Sequence, residues 1–210
     1  MVPRSMLVIV LTGGLGAGKS TAAEFFRSRG AVTLDLDRIA EHVLSPGSAV
    51  IERVAAEFGD DEVLLADGRL DRPALARKAF ASVDATARLN GIVYPAVAAE
   101  VGPALTSLRL LAEPPVAVVL EVPLLVEAPV FAELADCVLA VVAPESVRIA
   151  RAVERGMDEA EARRRIRSQA TDAERAQIAD AVIVNDGDRE RLTRDLASFW
   201  DVHVATGGGC

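Results

Sequence analysis

The stretch Met6-Leu-Val-Ile-Val-Leu-Thr-Gly-Gly-Leu-Gly-Ala-Gly-Lys-Ser-Thr21 decides the fold of this chain. Its first part, Met6–Leu11, is an unbroken apolar run rich in β-branched residues, which is typical of a strand buried on both faces of a parallel sheet. Its second part, Gly13–Ser20, matches the pattern G-x-x-x-x-G-K-[ST]. Lys19–Arg29 then shows helical spacing and stops at Gly30. The stretch therefore predicts a strand, a glycine-rich loop and a helix.

The glycine-rich loop predicts a binding site for a nucleoside triphosphate. Glycines let backbone N–H groups turn inward around phosphate oxygens, and the following helix points its positive end at the same anion. Lys19 can neutralise charge on the β- and γ-phosphates, and the Ser20 hydroxyl can bind magnesium. The chain has only two lysines, Lys19 and Lys78, so a compact ammonium stands in the loop of a chain that otherwise uses arginine.

The rest of the chain alternates buried-strand patterns with helical ones. The further strand candidates are Ala31–Leu34, Val116–Leu120, Cys137–Val142 and Ala181–Val184. Five strands that alternate with helices predict an α/β fold with a parallel sheet and right-handed crossovers. The middle, about 38–111, is rich in alanine and predicted to be helical, with Pro95 and Gly102-Pro103 kinking or dividing its last helix.

Composition narrows the function classes. The chain has 210 residues and a formal net charge of −8, which argues against sequence-neutral binding of nucleic acid. The longest apolar stretches are far shorter than the roughly 20 residues that cross a bilayer. A disulfide is not expected from Cys137, which lies in an apolar run, and Cys210, the last residue. We therefore expect a cytoplasmic protein, a monomer or weak homo-oligomer that binds neither membrane nor nucleic acid.

The absence of a guanine-reading motif argues against a GTPase switch. That motif is Asn-Lys-x-Asp, whereas Asn90 is followed by Gly and Asn185 by Asp. A chain of this size with a helical insertion and a late arginine-rich helix indicates a small-molecule kinase.

The ordered motifs resemble one family, the dephospho-coenzyme A kinases, which move the γ-phosphate of ATP onto the ribose 3′-hydroxyl of dephospho-CoA. Beyond the loop, the resemblance rests on these motifs and residues: Asp35-Leu-Asp37, Ile39-Ala40, Pro46-Gly47, Phe58-Gly59, Asp67-Gly68, Leu70-Asp-Arg72, Leu75, Phe80, Leu89-Asn90, Pro95, Pro123-Leu-Leu125, Glu127, Arg151, Arg155, Gln169, Val182-Ile183 and Asn185. It covers about 8–197. It implies the three-layer fold of P-loop nucleoside-triphosphate hydrolases, with ATP and dephospho-CoA as substrates and Mg²⁺ as cofactor.

The resemblance also implies domain limits and a role for each matching position. Residues 6–37 and 113–204 would form the nucleotide-binding core, with a lid at about 150–175, and 38–112 the inserted acceptor domain. The implied catalytic residues are Lys19, Asp37, Arg151 and Arg155. The implied ATP-binding residues are Gly14, Gly16, Ala17, Gly18, Lys19, Ser20, Thr21 and Asn185, the last near adenine, with Ser20 as metal ligand. The implied acceptor-binding residues are Asp37, Arg72, Tyr94, Pro123 and Leu124.

Three positions depart from the family pattern and leave alternatives open. Tyr94 stands where the family commonly has His, Glu121 where Asp is frequent, and Val184 where Asp precedes Asn185. Because Tyr94 cannot supply an imidazolium, another small hydroxyl acceptor, such as a nucleoside monophosphate or a sugar, stays open. A nucleotide-binding regulatory protein without efficient transfer is the alternative from another class.

Overall fold

A five-stranded parallel sheet forms the centre of the larger part of the molecule. The computed structural model describes residues 6–206 and 210, apart from the side chains of Asp37 and Asp61. The strands are β1 (Leu7–Thr12), β2 (Val32–Leu34), β3 (Ala117–Glu121), β4 (Cys137–Val142) and β5 (Ala181–Val184). Their order is β2-β3-β1-β4-β5, and every neighbouring pair is parallel. The predicted five-stranded parallel sheet and the α/β class are confirmed.

Helices connect the strands and build the insertion. The α-helices are α1 (Lys19–Ser28), α2 (Leu36–Val43), α3 (Ala49–Phe58), α4 (Asp60–Val63), α5 (Arg72–Ala79), α6 (Val83–Arg109), α7 (Glu145–Glu154), α8 (Glu159–Arg167), α9 (Asp172–Gln177) and α10 (Arg189–Phe199). A 3₁₀ turn at Pro129–Leu134 precedes β4, and a π-helical turn at Trp200–Ala205 follows α10.

The central strands are buried on both faces, which explains their continuous apolar sequences. All six residues of β1 and all six of β4 are buried. On one face, Ile9 and Leu11 pack in a cluster with Phe26 of α1 and Leu196 of α10. From β1 the chain continues to β2 at one edge of the sheet, and from β4 it continues to β5 at the other edge. The carboxyl ends of these two strands therefore form the switch point at which such sheets bind ligands.

The chain divides into two compact units. One comprises Met1–Leu34 with Leu105–Cys210, and the other is Asp35–Ala104. The second unit is helical, and Ile51, Val54 and Phe58 of α3 are buried. The second unit begins and ends earlier than the predicted acceptor domain, 38–112. Its later boundary falls inside α6 rather than at the end of that helix.

Helix α6 corrects one prediction. It runs without a break through Pro95 and Pro103, which were expected to kink or divide it, so a division of the helix is wrong, while a kink at these prolines stays a prediction. A stripe at four-residue spacing, Val93, Val97 and Val101, is buried and offsets the hydrogen bonds that the prolines remove. By length and composition alone, α6 is also long and apolar enough to cross a membrane. Of its apolar 18-residue stretch, 28% is buried.

The two cysteines correct a second prediction. Cys137, the first residue of β4, is bonded to Cys210, with their Cα atoms 5.2 Å apart. The expectation of no disulfide is therefore wrong. The pairing joins residues 73 apart in sequence, and it depends on how the end of the chain packs. Trp200 and Val204 of the π-helical turn lie in the same core cluster as Cys137, which brings the chain end back to the start of β4.

Candidate functional site

The glycine-rich loop lies between β1 and α1, at the carboxyl edge of the sheet. Gly16 has φ of 76° and Gly18 has φ of 108°, a left-handed conformation that side chains rarely adopt. Gly18 is the N-cap of α1, so the helix begins at Lys19 and directs its free N–H groups towards the loop. The local sequence therefore builds an anion site from backbone groups before any side chain is considered.

The loop encloses a cavity of 220 Å³. Its lining residues are Gly13, Gly14, Leu15, Gly16, Gly18, Lys19, Ser20, Pro123, Arg155 and Gln169. Of the remaining predicted ATP-binding residues, Ala17 is buried inside the loop and Thr21 is half-buried in the first turn of α1. The structure thus brings most of the predicted nucleotide site, together with Pro123 and Arg155, around one cavity.

Glu121 holds the loop lysine. Its Oε2 lies 2.6 Å from Lys19 Nζ, and the two side chains are 24% and 16% exposed. The register pairs Glu121 with Leu11, so the end of β3 lies beside the end of β1. Glu121 was not among the predicted site residues, although an acid at the carboxyl end of a central strand is a usable signal. A bound phosphate would compete with this carboxylate for the Lys19 ammonium.

Arg151 and Asn185 brace the loop from outside. Arg151 Nη1 donates to Gly16 O at 3.4 Å and to Asn185 O at 3.2 Å, and Nη2 donates to Asn185 Oδ1 at 3.2 Å. Asn185 Nδ2 donates to Ala17 O at 2.8 Å, and the side chain is buried. These bonds engage the amide of Asn185 on both sides. In this structure both residues support the backbone that would bind phosphate, and the adenine contact of Asn185 stays a prediction.

Arg155 is placed differently from Arg151, although the two lie only four residues apart at the end of α7. Arg155 follows the last residue of α7, is exposed and lines the loop cavity. Within the described part of the chain, no carboxylate forms an ion pair with it. Its guanidinium is therefore available to an anion in the cavity.

Gln169 belongs to the ordered motifs of the family resemblance, but the sequence assigned it no role, and it contacts the loop. Its Oε1 accepts the Leu15 N–H at 3.0 Å, just after α8 ends. Two further residues missed are Arg148 and Arg175, whose buried side chains lie against Gly14. Arginine spacing alone did not distinguish them from surface residues, because that distinction depends on how α7 and α9 pack.

The arginine run of α8 lies outside the loop cavity. Arg163 pairs with Glu159 at 2.7 Å, Arg165 pairs with Glu161 at 2.6 Å, and Arg164 also pairs with Glu161. Hydrogen bonds from Arg165 and Arg164 hold the pKa of the Glu161 carboxyl below its usual range. Arg163 and Glu159 also line a 730 Å³ cleft between α7 and α8, which shares no lining residue with the loop cavity.

The predicted acceptor residues are distributed over both units. Asp37 belongs to α2, but its side chain lies outside the described residues. Arg72 begins α5 and pairs with Glu41 at 3.1 Å, and Tyr94 is half-buried in α6. Pro123 and Leu124 follow β3, and Leu124 is 37% exposed. Their role in binding an acceptor stays a prediction.

The metal prediction rests on Ser20, which is exposed at the start of α1. Across residues 6–206 and 210, with Asp37 and Asp61 set aside, no group of three or more His, Cys, Asp or Glu side chains could hold a metal ion. Magnesium in phosphate sites commonly takes one or two protein ligands and completes its shell with phosphates and water. A hydroxyl at the loop with one nearby carboxylate, Glu121, fits that ligand set.

Comparison with known proteins points to a single family. The family described as dephospho-CoA kinase matches residues 7–190. A dephospho-CoA kinase of Mycolicibacterium paratuberculosis is 45% identical over 95% of this chain, which spans only 48% of that relative's length. One from Corynebacterium diphtheriae is 41% identical over 93% of this chain and 96% of the relative. A solved protein of Thermus thermophilus is 32% identical with a TM-score of 0.74, over 95% of this chain and 98% of that one.

Proposed function

Because the chain belongs to the dephospho-CoA kinase family, we propose that it transfers the γ-phosphoryl group of ATP to the ribose 3′-hydroxyl of dephospho-CoA, giving CoA and ADP, the last step of CoA biosynthesis. One observation carries the proposal within the molecule. The loop cavity joins backbone N–H groups, the start of α1, Lys19 and the unpaired Arg155 around a space of 220 Å³. Phosphoryl transfer depends chiefly on such positioning and charge stabilisation.

On the nucleotide side, the loop residues hold the triphosphate and stabilise charge. Lys19 leaves Glu121 and binds the β- and γ-phosphate oxygens, while the loop N–H groups surround them. Arg155 donates to the oxygens of the transferring group, where charge develops in the transition state. Arg151 keeps its hydrogen bonds to Gly16 and Asn185 during the transfer, and these bonds hold the backbone of the phosphate loop in place.

On the acceptor side, Asp37 orients the 3′-hydroxyl and accepts its proton. The hydroxyl oxygen forms a bond to the γ-phosphorus as the bond between that phosphorus and the β–γ bridging oxygen breaks, and ADP leaves with the bridging oxygen. A carboxylate suits this task because the attacking hydroxyl must lose a proton. Support for Asp37 comes from its place after β2, at Asp35-Leu-Asp37.

The remaining acceptor contacts are assigned to Arg72, Tyr94, Pro123 and Leu124. Arg72 can bind phosphate of the acceptor if it leaves Glu41, since that pair is exposed and weak. Pro123 already lines the loop cavity. Tyr94 offers a hydroxyl and a ring face, and its contribution decides whether dephospho-CoA or another hydroxyl compound is preferred.

Magnesium completes the proposed site. Ser20 would hold it through the hydroxyl, and Glu121 would hold one of its waters once Lys19 has moved to phosphate. The ion supplies neutralising charge to the β- and γ-phosphates. We assign the reaction to the cytoplasm and to a monomer or weak homo-oligomer that binds neither nucleic acid nor membrane, in keeping with the net charge of −8.

Acceptor-dependent ADP release tests the proposal. Purified protein is incubated with ATP and Mg²⁺, alone or with dephospho-CoA, a nucleoside monophosphate, shikimate or another sugar-like alcohol, and CoA is identified by mass. We expect ADP and CoA to form in equal amounts only with dephospho-CoA. Release with another acceptor would overturn the acceptor assignment, and ATP binding with no turnover on any acceptor would favour a regulatory protein.

A further inference from the structure

Two arginine side chains lie buried behind the phosphate loop. Arg148 of α7 is 6% exposed and Arg175 of α9 is 1% exposed. A methyl group at Gly14 would lie 2.5 Å from Arg148 Nη1 and 3.3 Å from Arg175 Nη1. Neither arginine lines the loop cavity. Both guanidinium groups therefore lie against Gly14 of the loop.

The pair carries more positive charge than its buried neighbours balance. Asp172 Oδ1 lies 3.7 Å from Arg148 Nη1 and 3.4 Å from Arg175 Nη1, so one carboxylate serves two guanidinium groups. Glu127 also attracts Arg175, but it is exposed to screening water and accepts the Ala170 N–H at 3.2 Å. Since arginine keeps its proton at neutral pH, two cations share the Asp172 carboxylate beside the loop, and the second carboxylate, Glu127, faces water.

Several of the buried guanidinium nitrogens also lack hydrogen-bond partners. Among the described residues, none accepts from Nε or Nη1 of Arg148, or from Nε or Nη2 of Arg175. Burial lowers the pKa of the Arg175 guanidinium, and the nearby charge of Arg148 acts in the same direction. A buried charge with unsatisfied nitrogens is costly, and an anion close to it lowers that cost.

We propose that Arg148 and Arg175 are positioning residues for the triphosphate, whose positive charge beside Gly14 favours the nucleotide with the most phosphate charge. The inference rests on the proposed binding of ATP at this loop. Gln169 precedes α9, and Arg175 belongs to this helix. The same stretch of chain therefore supplies both the acceptor for the Leu15 N–H and a buried positive charge. The pair is therefore expected to favour ATP over AMP.

The test measures the ratio of ATP to AMP affinity by calorimetry for wild type, Arg148→Met, Arg148→Lys and Asp172→Asn. At an effective dielectric of about 20, a charge roughly 8 Å from a phosphate contributes about 2 kcal/mol, which supports an ATP-specific loss of about 30-fold in Arg148→Met. Arg148→Lys keeps the charge and should keep the ratio. Asp172→Asn removes the balancing charge but keeps an oxygen for the Ala143 N–H, and should raise the ratio. Arg163→Met, on the exposed face of α8, is the matched control.

Thermal unfolding of each variant distinguishes charge from structure. Equal losses for ATP and AMP in Arg148→Met, or a ratio in Asp172→Asn that falls or stays unchanged, would overturn the inference. If Arg148→Met does not fold, Asp172→Asn decides alone, because the inference predicts a higher ratio through tighter ATP binding, which general disruption does not produce. If wild type binds no ATP, the proposed function fails first; if wild type binds ATP and the ratios do not move, only this inference fails.

Discussion

The arginines around the phosphate loop and those on α8 share a residue type and little else. Arg148 and Arg175 are buried against Gly14, and Arg151 donates hydrogen bonds to oxygens of the loop and of Asn185. On α8, by contrast, Arg163 and its neighbours are exposed and pair with glutamates three or four residues away. The segment from Arg148 to Arg175 holds eight arginines and six acids, a net charge of +2. The net charge of the segment does not show which of its cations lie near the loop.

The difference teaches that the surroundings of a cation, and not its position in a basic run, decide what it contributes. Exposed pairs gain little, because water screens them and the side chains lose freedom. A cation beside a loop of oriented N–H groups works in a drier and more ordered setting, so its removal costs more. Four substitutions arranged from the largest expected effect to the smallest test that contrast.

Replacing the loop lysine should have the largest effect. Lys19→Ala removes the ammonium that lines the loop cavity and leaves Glu121 with only Arg27 as its ion-pair partner, so we expect kcat to fall by at least about 10²-fold. Steady-state ADP formation measures it. Lys78→Ala, at the chain's other lysine, removes a bond to Phe58 O in the helical unit and should leave the ATP affinity unchanged. Normal turnover of Lys19→Ala would contradict the role of the loop.

Replacing Arg155, which lines the loop cavity, should have the second largest effect. Arg155→Met is expected to lower kcat by about 10²-fold while the ATP Kd changes much less, because the contact forms mainly in the transition state. Single-turnover kinetics separate the two quantities. An ATP Kd that weakens as much as kcat falls would mean that Arg155 binds the ground state equally well.

The cap of α9 should have a smaller effect, and mainly on stability. Thr171 and Glu174 form a capping box at the start of the helix that carries Arg175. Thr171→Ala should cost about 1 kcal/mol in the free energy of unfolding, measured by chemical denaturation. Thr193→Ala serves as the control, since Thr193 bonds to Arg189 O within α10 and caps nothing. Equal losses in the two variants would show that the cap contributes nothing of its own.

The α8 surface should show the smallest effect. Arg163→Met removes an exposed pair with Glu159 and is expected to change the free energy of unfolding by no more than about 0.5 kcal/mol, with kcat unchanged. The same kinetic and unfolding measurements apply. A loss of activity close to that of Arg155→Met would erase the distinction between the two groups of arginines.

Local patterns predicted much of the fold. The strands β1 and β4 were readable because burial on both faces demands continuous apolar runs, and the middle of the chain was predicted to be helical because it is rich in alanine. Helix α9 was missed, since six residues are too few to show a period. The continuity of α6 through Pro95 and the pairing of Cys137 with Cys210 were also missed, because both depend on distant packing.

For the site, the phosphate loop was predictable because its chemistry is encoded within eight consecutive residues, Gly13–Ser20. Glu121 and Gln169 reach the loop from residues more than a hundred positions away, across the sheet and from the end of α8. Their sequence signals, an acid and an amide, are too common to be specific on their own. The role of Asp37 stays a prediction from the family resemblance.

By itself the sequence determined the phosphate loop, the parallel sheet and the family, because glycines, apolar runs and ordered short motifs act through local geometry. Only the tertiary structure decided which cations serve the loop. It buried Arg148 and Arg175 beside Gly14, turned Arg151 onto the backbone, left Arg155 open to the cavity and paired Lys19 with Glu121. The physical reason is that burial and distance set the effect of a charge, and neither is written in the spacing of residues along the chain.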